Sequence, residues 1–540
     1  MTDDREKKAE AFKSADVIVV GAGHNGCIAA CYLAKAGLDV LIVERHREPG
    51  GMSWTEPMPG APDHLINTAS IHASSFQFTP IDQELELTGK FGLQQRQIDP
   101  CHVQGFPDGE SIAYWRDAKR TAEEIKYFSP KEAKMWLEIS KMIDTAFQIV
   151  VPYLLVNPVR PGMKTIMQML GRSLKSYKYW IPLTLWSTAP MAQVLEQYFE
   201  HPFTRALAPT GLPFSNFRDD LSGWSMIYLG VLQRYGIKMF EGGTGAFIKS
   251  LLRCLESYGG KLRCNAPVEQ LIVKNGRVTG VRLKSGEELI ARKGVVTSFS
   301  PKVVLNRLLP KGTMNHIDAV RAKYIPTNRR GNADYKLDVA CKGRLELPKH
   351  TAWRKKRGID IDLRLPTFQW ATMEDACEAY DDCKRGVIPK RICGLAQLTT
   401  GFDPAMAPKG HETFWFWSGL IPHTPAIGWE QARPEITNRL IKDANDYYPG
   451  LEKLEIARYD LCVPEMEERF GDVDGSPYHC DPVLSRGLGP IKPAIGFAGY
   501  ETPVPGLFLS GSGVHPLGGL CGAPGRNAAI TMIEALRKGM

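Results

Sequence analysis

Asp16-Val17-Ile18-Val19-Val20-Gly21-Ala22-Gly23-His24-Asn25-Gly26 joins an unbroken apolar run to a G-x-G-x-x-G turn, and good helix formers follow at residues 27–35. Four apolar residues in succession read as a strand buried on both faces, the habit of a parallel sheet. Gly21 permits a tight turn, Gly23 lets the backbone approach a pyrophosphate, and Gly26 lets the helix pack close to the strand. The positive end of that helix then faces the phosphates. Gly37 ends the helix, residues 39–43 give a second strand, and Glu44 stands at its tip. A carboxylate there accepts hydrogen bonds from a ribose 2′-OH. The expected fold class is α/β, opening on a Rossmann-type dinucleotide-binding unit.

Working outward, Arg45-His46-Arg47-Glu48-Pro49-Gly50-Gly51-Met52-Ser53 is a charged turn closing on paired glycines. Such a pair allows a second close backbone approach, as a long dinucleotide crossing the sheet edge requires. His64 and His72 follow in an aperiodic stretch, and each reads as a ligand-facing group or as an ordinary packed histidine. Residues 81–235 read as mainly helical. Within them 149–195 is rich in Tyr, Trp, Met, Leu and Pro, with Arg160, Lys164, Arg172, Lys175 and Lys178 interleaved. The simplest reading of that composition is a helical core; an apolar tunnel and a membrane surface are the alternatives.

The pattern changes at Phe240. A glycine turn opens a helix to Leu255, and short strands follow around 261–264, 270–273 and 278–283, joined by Asn275-Gly276 and Ser285-Gly286 turns. Residues 294–297 give another buried strand, ending at Ser300-Pro301. This is a meander returning to the first sheet after an insertion. Residues 303–490 read as mixed, with strands near 338–340, 367–370 and 412–420 and a helix over 429–446.

The last segment is the second firm signal. Gly506-Leu507-Phe508-Leu509-Ser510-Gly511-Ser512-Gly513 is a strand running into glycines. After it come Val514-His515-Pro516-Leu517-Gly518-Gly519-Leu520-Cys521-Gly522-Ala523-Pro524-Gly525-Arg526 and a helix over 527–537. A glycine-rich loop feeding a helix N-terminus is a second anion site. Two such loops, one at each end of the chain, suit FAD: its pyrophosphate on the first, and on the second the ring edge that turns negative on reduction. His515 reads either as a catalytic proton donor or acceptor or as a structural hydrogen bond within its loop. Only one full G-x-G-x-x-G is present, so the substrate itself is expected to reduce the flavin.

With 540 residues the chain exceeds a usual single core, and two joined domains are expected. A net charge of +8 is mild for this length, and clusters such as Arg354-Lys355-Lys356-Arg357 are short, which argues against nucleic-acid binding. Residues 1–13 are polar and read as a frayed arm, without the apolar core of a secretory signal. No run reaches the roughly 18 to 20 apolar residues that span a bilayer. The 12 cysteines are scattered without a C-x-x-C, which fits a reducing cytoplasm and leaves neither a dithiol nor a metal site.

Gly21-Ala22-Gly23-His24-Asn25-Gly26, His515-Pro516-Leu517-Gly518-Gly519 and Gly522-Ala523-Pro524-Gly525-Arg526-Asn527-Ala528-Ala529 together resemble the phytoene desaturase and carotenoid isomerase family of flavoproteins, in its phytoene-dehydrogenase-like branch. The resemblance covers about a third of the chain. It implies a p-hydroxybenzoate-hydroxylase or amine-oxidase-like FAD fold, with FAD-binding segments 1–80, 236–305 and 491–540 and an inserted, partly helical substrate domain of 81–235 and 306–490. It implies a cofactor-binding set of Gly21, Gly23, His24, Asn25, Gly26, Glu44, Arg45, Gly50, Gly51, Met52, Ser53, Val268, Ser300, Gly511, Ser512, Gly522, Ala523 and Pro524, with Val268 holding the adenine by its backbone. The expected activity is FAD-dependent removal of hydride from a small apolar or aromatic substrate, with oxygen, a quinone or a redox carrier as acceptor. A redox-neutral polyene isomerase is the near alternative. From another class comes a non-catalytic binder of a lipidated partner, since Rab GDP-dissociation inhibitors share the architecture.

Overall fold

The computed structural model describes residues 12–206, 217–218, 222–328, 331–481, 491–516 and 518–539. The expected frayed arm lies, up to residue 11, outside them, as does Leu517. In the opening unit β1 (Ser14–Val20) runs into helix α1 (His24–Lys35) and on to β2 (Val40–Val43). β1 pairs in parallel with β2, Val17 opposite Val40 through Val20 opposite Val43, so apolar side chains face apolar side chains across the ladder. β3 (Lys261–Arg263), β4 (Val268–Lys274), β5 (Arg277–Leu283) and β6 (Glu288–Thr297) come from the middle of the chain, and β7 (Leu507–Leu509) from its end. The sheet order is β4-β5-β6-β1-β2-β3, with β7 on the other half of β6. β6 and β7 flank the centre in parallel, while β4 and β5 form the antiparallel meander. The glycine turn thus sits at the carboxyl edge of a central parallel strand, the place where open α/β sheets bind ligands.

The last helix, α2 (Ala523–Arg537), lies against α1. Apolar residues of α1 (Ile28, Ala29, Leu33) join Phe247 and Leu251 and the α2 residues Ala529 and Met532 in one core. The start of α2 is pressed onto the start of α1. A Cβ on Gly525 would lie 2.2 Å from the Asn25 carbonyl oxygen, and one on Gly522 would lie 2.6 Å from Ile28 Cδ1. Gly525 N–H also donates to Asn25 Oδ1 at 3.3 Å.

A second sheet of seven strands gathers Glu455–Leu461, Asn332–Cys341, Glu412–Pro422, Leu395–Leu398, Thr367–Gln369, His102–Gly105 and Ser111–Tyr114, in that order. Strand Glu412–Pro422 is buried on both faces throughout. Phe414 and Phe416 pack towards helix Trp429–Tyr447, and Trp415 and Trp417 look the other way.

Two stretches differ from the sequence reading. Residues 95–114, expected to be helical, hold three four-residue strands: Gln95–Ile98 pairs with Ile237–Phe240, and the other two complete the second sheet. Each is too short to display a period of two. Within 149–195, expected to be a helical core, Leu154, Met191, Val194 and Leu195 join buried clusters but the stretch 163–188 is largely exposed. Helix Met163–Lys175 has one buried residue, Thr165, and the following helix Trp180–Thr188 buries only Trp186.

Candidate active-site cavity

The carboxyl edge of the first sheet and the inner face of the second enclose one cavity of about 400 Å³. At its first end the glycine turn is fixed by main-chain bonds. Gly21 N–H donates to Val43 O at 2.9 Å, and Gly50 N–H donates to Ala22 O at 2.8 Å, which lays the second glycine pair beside the first. Gly26 sits beneath the turn, where a Cβ would lie 2.1 Å from Gly21 O. Glu44 is buried at the tip of β2, one oxygen accepting from Ala22 N–H at 2.8 Å and the other from His46 N–H at 3.0 Å. Each oxygen keeps a lone pair for a ligand hydroxyl. Val268 and Pro267 complete this end.

Of the cofactor-binding residues expected from sequence, Gly21, Gly23, His24, Asn25, Glu44, Arg45, Gly50, Gly51, Met52, Ser53, Val268 and Ser512 line the cavity. Gly26, Ser300, Gly511, Gly522, Ala523 and Pro524 do not. Gly26 supports the turn from below, Ser300 precedes the short Pro301–Val303 helix, Gly511 is pressed against the Phe299 backbone, Gly522 is pressed against Ile28 of α1, and Ala523 and Pro524 are buried in the first turn of α2. Besides Ser512, the closing segment reaches the cavity through Gly518, Gly519 and Leu520.

His515 is the clearest departure. It is fully buried and off the cavity lining. Its Nε2 lies 3.0 Å from Tyr153 O, and its ring meets the Tyr153 ring edge-on at 4.9 Å. Burial pushes its pKa down to about 3, against a raising contribution from the Tyr153 carbonyl and a further lowering one from Lys492. A neutral ring donating to a carbonyl ties the closing loop to the long helix Pro130–Leu154. The geometry thus shows Nε2 engaged by a main-chain carbonyl, while Nδ1 is buried without a partner in the protein.

The far wall is aromatic and apolar: Ile71, Tyr228, Leu395, Trp415 and Trp417. Both indoles are anchored, Trp415 Nε1–H donating to Ala69 O at 3.2 Å and Trp417 Nε1–H to Asp334 Oδ1 at 2.8 Å. Here the structure brings in His72 but not His64, which packs against His411. His72 Nε2 is 3.0 Å from Thr367 Oγ1, and burial holds the ring at a pKa of about 4, with Gln397 raising it. His24, at the start of α1, lies 3.3 Å from Ser53 Oγ and is likewise pushed down to about 4, by burial first, with the Gly519 backbone raising it and His479 lowering it.

These two rings carry a pH prediction. Unfolded, each titrates near 6.5, so between pH 6.5 and 4 the unfolded chain binds more protons than the folded one. Stability is complete above this window and falls as pH drops through it, by up to about 1.4 kcal/mol per pH unit for each ring. Tm measured from pH 7 to pH 4 should decline, and less steeply in His72→Gln. An unchanged slope in that variant would contradict the assignment.

Asp472 and His479 also line the cavity, 3.0 Å apart. Sequence reading passes over them because they stand in an aperiodic, glycine-rich stretch, and their seven-residue spacing matches no motif.

A glycine turn on a central parallel strand, a helix N-terminus above it and an acidic residue at the neighbouring strand tip define a Rossmann-type dinucleotide-binding protein, here joined to a second sheet in the manner of the amine oxidases. The sequence pattern of the NAD(P)-binding Rossmann-like domain matches residues 19–80. Over nearly its whole length the chain is a relative of "Pyridine nucleotide-disulfide oxidoreductase domain-containing protein 2" of Rattus norvegicus, at 27% identity with 97% of this chain and 94% of the relative covered. It is also similar to a limonene dehydrogenase chain of Castellaniella defragrans (24%, covering 97% and 95%) and to the lycopene-forming phytoene desaturase of Pseudescherichia vulneris (22%, covering 96% and 99%). Cyclohexylamine oxidase from Brevibacterium oxydans shares the fold, with a TM-score of 0.56 at 15% identity and 97% and 99% of the two chains covered. The family likeness read from the two glycine loops stands with these relatives, as does the reading of the chain as an oxidoreductase of the desaturase kind.

Proposed function

We propose that the chain binds FAD and oxidises a largely apolar organic substrate, its electrons leaving to oxygen, a quinone or a carrier. The observation that carries this is a single cavity that begins at the Gly21–Gly23 turn and Glu44 and continues to a wall of Trp415, Trp417, Tyr228 and Leu395. The residues fit the cofactor. A side chain at Gly26 would collide with the turn, so the cradle is kept free of Cβ atoms. Ser298 Oγ, on the cavity lining, is buried without a partner in the protein and is available to a polar ligand. In this reading the turn and the N-terminus of α1 hold the pyrophosphate, Glu44 the ribose, and the Val268 backbone the adenine. Bound there, FAD supplies two-electron oxidation. The aromatic wall excludes water and orients an apolar substrate by shape.

The test is a purified protein that is yellow, followed by anaerobic mixing with limonene, phytoene and cyclohexylamine, the compounds that the relatives' names supply. Lasting loss of flavin colour with one of them supports net oxidation. Transient loss with rearranged product favours the isomerase. A colourless protein that takes up no FAD overturns the proposal and favours a binder.

No helix among the described residues is long and apolar enough to cross a membrane. The surface nonetheless carries an apolar stripe. On helix Met163–Lys175, Met163, Ile166, Met167, Leu170 and Leu174 recur at helical spacing and are exposed; Tyr177, Trp180 and Ile181 continue the patch, Ile181 at 86% exposure. Lys164, Lys175 and Lys178 stand among them. Apolar and aromatic side chains rimmed by lysines match the interface of a bilayer with anionic headgroups. We propose that this patch rests on such a surface, where an apolar substrate would be dissolved. Vesicles containing phosphatidylglycerol should carry the protein on flotation, and Ile181→Glu with Met163→Glu should reduce the floated fraction at least about tenfold. Wild-type protein remaining at the bottom of the gradient, or floating equally in both forms, overturns the docking.

A further inference from the structure

The cavity wall formed by residues 471–481 holds a pair that no role above uses. His479 Nε2 lies 3.0 Å from Asp472 Oδ1, and Asp472 is 4% exposed. The opposite atoms, His479 Nδ1 and Asp472 Oδ2, are buried without any hydrogen-bond partner in the protein. If Nε2–H donates to the carboxylate, the tautomer is set and Nδ1 is left as a bare acceptor. A buried carboxylate whose partner is an imidazole is costly while that ring is neutral and is compensated once the ring gains a proton. His479 also holds a left-handed backbone, φ 59°, with its N–H donating to Ser476 O at 2.9 Å. Such a conformation in a residue with a side chain persists only where the surroundings impose it, and it clusters at functional sites. From the facing elements, His24 of α1 feels the His479 ring electrostatically, and Arg45 lies against Gly471, next to Asp472.

We infer that His479, oriented by Asp472, is the proton acceptor of this cavity. It would take the proton shed by an H–C–X–H unit of the substrate, X being carbon, nitrogen or oxygen, when that carbon is oxidised. The inference rests on the FAD reading above. FAD held by the Gly21–Gly23 turn and Glu44 would supply the two-electron oxidant that takes up the electron pair of the broken C–H bond. The X–H bond breaks, its proton moves to His479 Nδ1, and the electron pair left behind becomes the π bond of C=X. Asp472 touches no reacting atom; it is a positioning residue that fixes the tautomer and stabilises the imidazolium. His479 thus takes the chemical role that the sequence reading left open for His515.

The first arm of the test needs neither substrate nor turnover. Full-length protein labelled with ¹⁵N-histidine should show the His479 ring, assigned by its loss in His479→Ala, protonated at Nε2 and bare at Nδ1 near neutral pH. Asp472→Ala should release that choice, so that rings protonated at Nδ1 appear beside those protonated at Nε2. A proton resident on Nδ1 in the wild type, or a tautomer unmoved in Asp472→Ala, overturns the inference. The second arm is single-turnover bleaching with whichever of limonene, phytoene or cyclohexylamine reduces the wild type. There His479→Ala should slow the step about 10²- to 10⁴-fold and recover partly with free imidazole. Bleaching within about threefold of wild type overturns the inference. If FAD binds to neither wild type nor variant, the FAD reading fails, and with it the proton-acceptor role, whatever the first arm reports of the pair.

Discussion

Gly26→Ala should leave a folded protein that no longer retains FAD, with affinity reduced at least about 100-fold in a titration of apoprotein with the cofactor. The added Cβ would stand 2.1 Å from Gly21 O and 2.9 Å from Ser298 Oγ. The first of these is main chain and has no rotamer to escape into. Relief requires the turn to lift from the helix, and the turn is the surface on which a pyrophosphate would lie. The turn is also braced from behind, because Ala22 N–H is held by Glu44 and Ala22 O by Gly50. Its displacement therefore spreads to both flanks of the cradle. Gly171→Ala is the matched control. That glycine is inside helix Met163–Lys175 with nothing within 4 Å of the new atom, and it should stabilise the helix slightly while sparing the cofactor. A Gly26→Ala protein with wild-type flavin content would remove the turn from the binding site.

Arg354→Ala should be the most damaging change away from the cavity, costing about 3–5 kcal/mol. Arg354 is 1% exposed and grips Glu124 through two parallel bonds of 3.0 and 3.1 Å, while its Nε–H donates to Ser111 Oγ at 3.0 Å. Trp115 Nε1–H adds a bond of 3.1 Å to the same carboxylate. One guanidinium thus joins helix Pro348–Lys356, strand Ser111–Tyr114 and helix Ala118–Lys126. Truncating it strands a buried carboxylate, with only the more distant Arg357 (3.9 Å) as a cation. The midpoint of urea unfolding should fall sharply, and Arg354→Met combined with Glu124→Leu should recover most of the loss, since an apolar pair leaves no charge to compensate. If the double variant is as unstable as the single one, packing, not the uncompensated charge, accounts for the defect.

The first sheet was legible because its information is local. A run such as Val17-Ile18-Val19-Val20 followed by three spaced glycines leaves the chain few alternatives, and β1, α1 and β2 form where expected. The meander of β4 to β6 was equally plain, since Asn275-Gly276 and Ser285-Gly286 demand tight turns. The second sheet was only partly legible. Strand Glu412–Pro422 invited an alternating reading, but its tryptophans and phenylalanines are both buried, because helices cover one face and the cavity wall forms on the other. Strand His102–Gly105 lies beside Thr367–Gln369, a pairing across more than 250 residues that local pattern does not encode. The same holds for the cavity. Gly21 and Glu44 announce themselves through motif position, and Val268 through the family resemblance. His72, Asp472 and His479 become neighbours of a ligand space only through tertiary closure. His515 was left open between two roles, because a loop position does not reveal that the Tyr153 carbonyl meets its Nε2.

The contact between Gly525 and Asn25 has a temporal consequence. These partners are separated by 500 positions. At the about 5–20 residues per second of synthesis, Asn25 emerges on the order of 25 to 100 s before the glycine that docks on it. Throughout that interval the nascent amino-terminal unit exposes the flank of its first helix to solvent and to chaperones. A chain interrupted just short of α2 would lack Ala529 and Met532, which help to close the core of the first unit. Quality control therefore has a simple criterion here: until α2 has left the ribosome, an apolar groove beside α1 stays open.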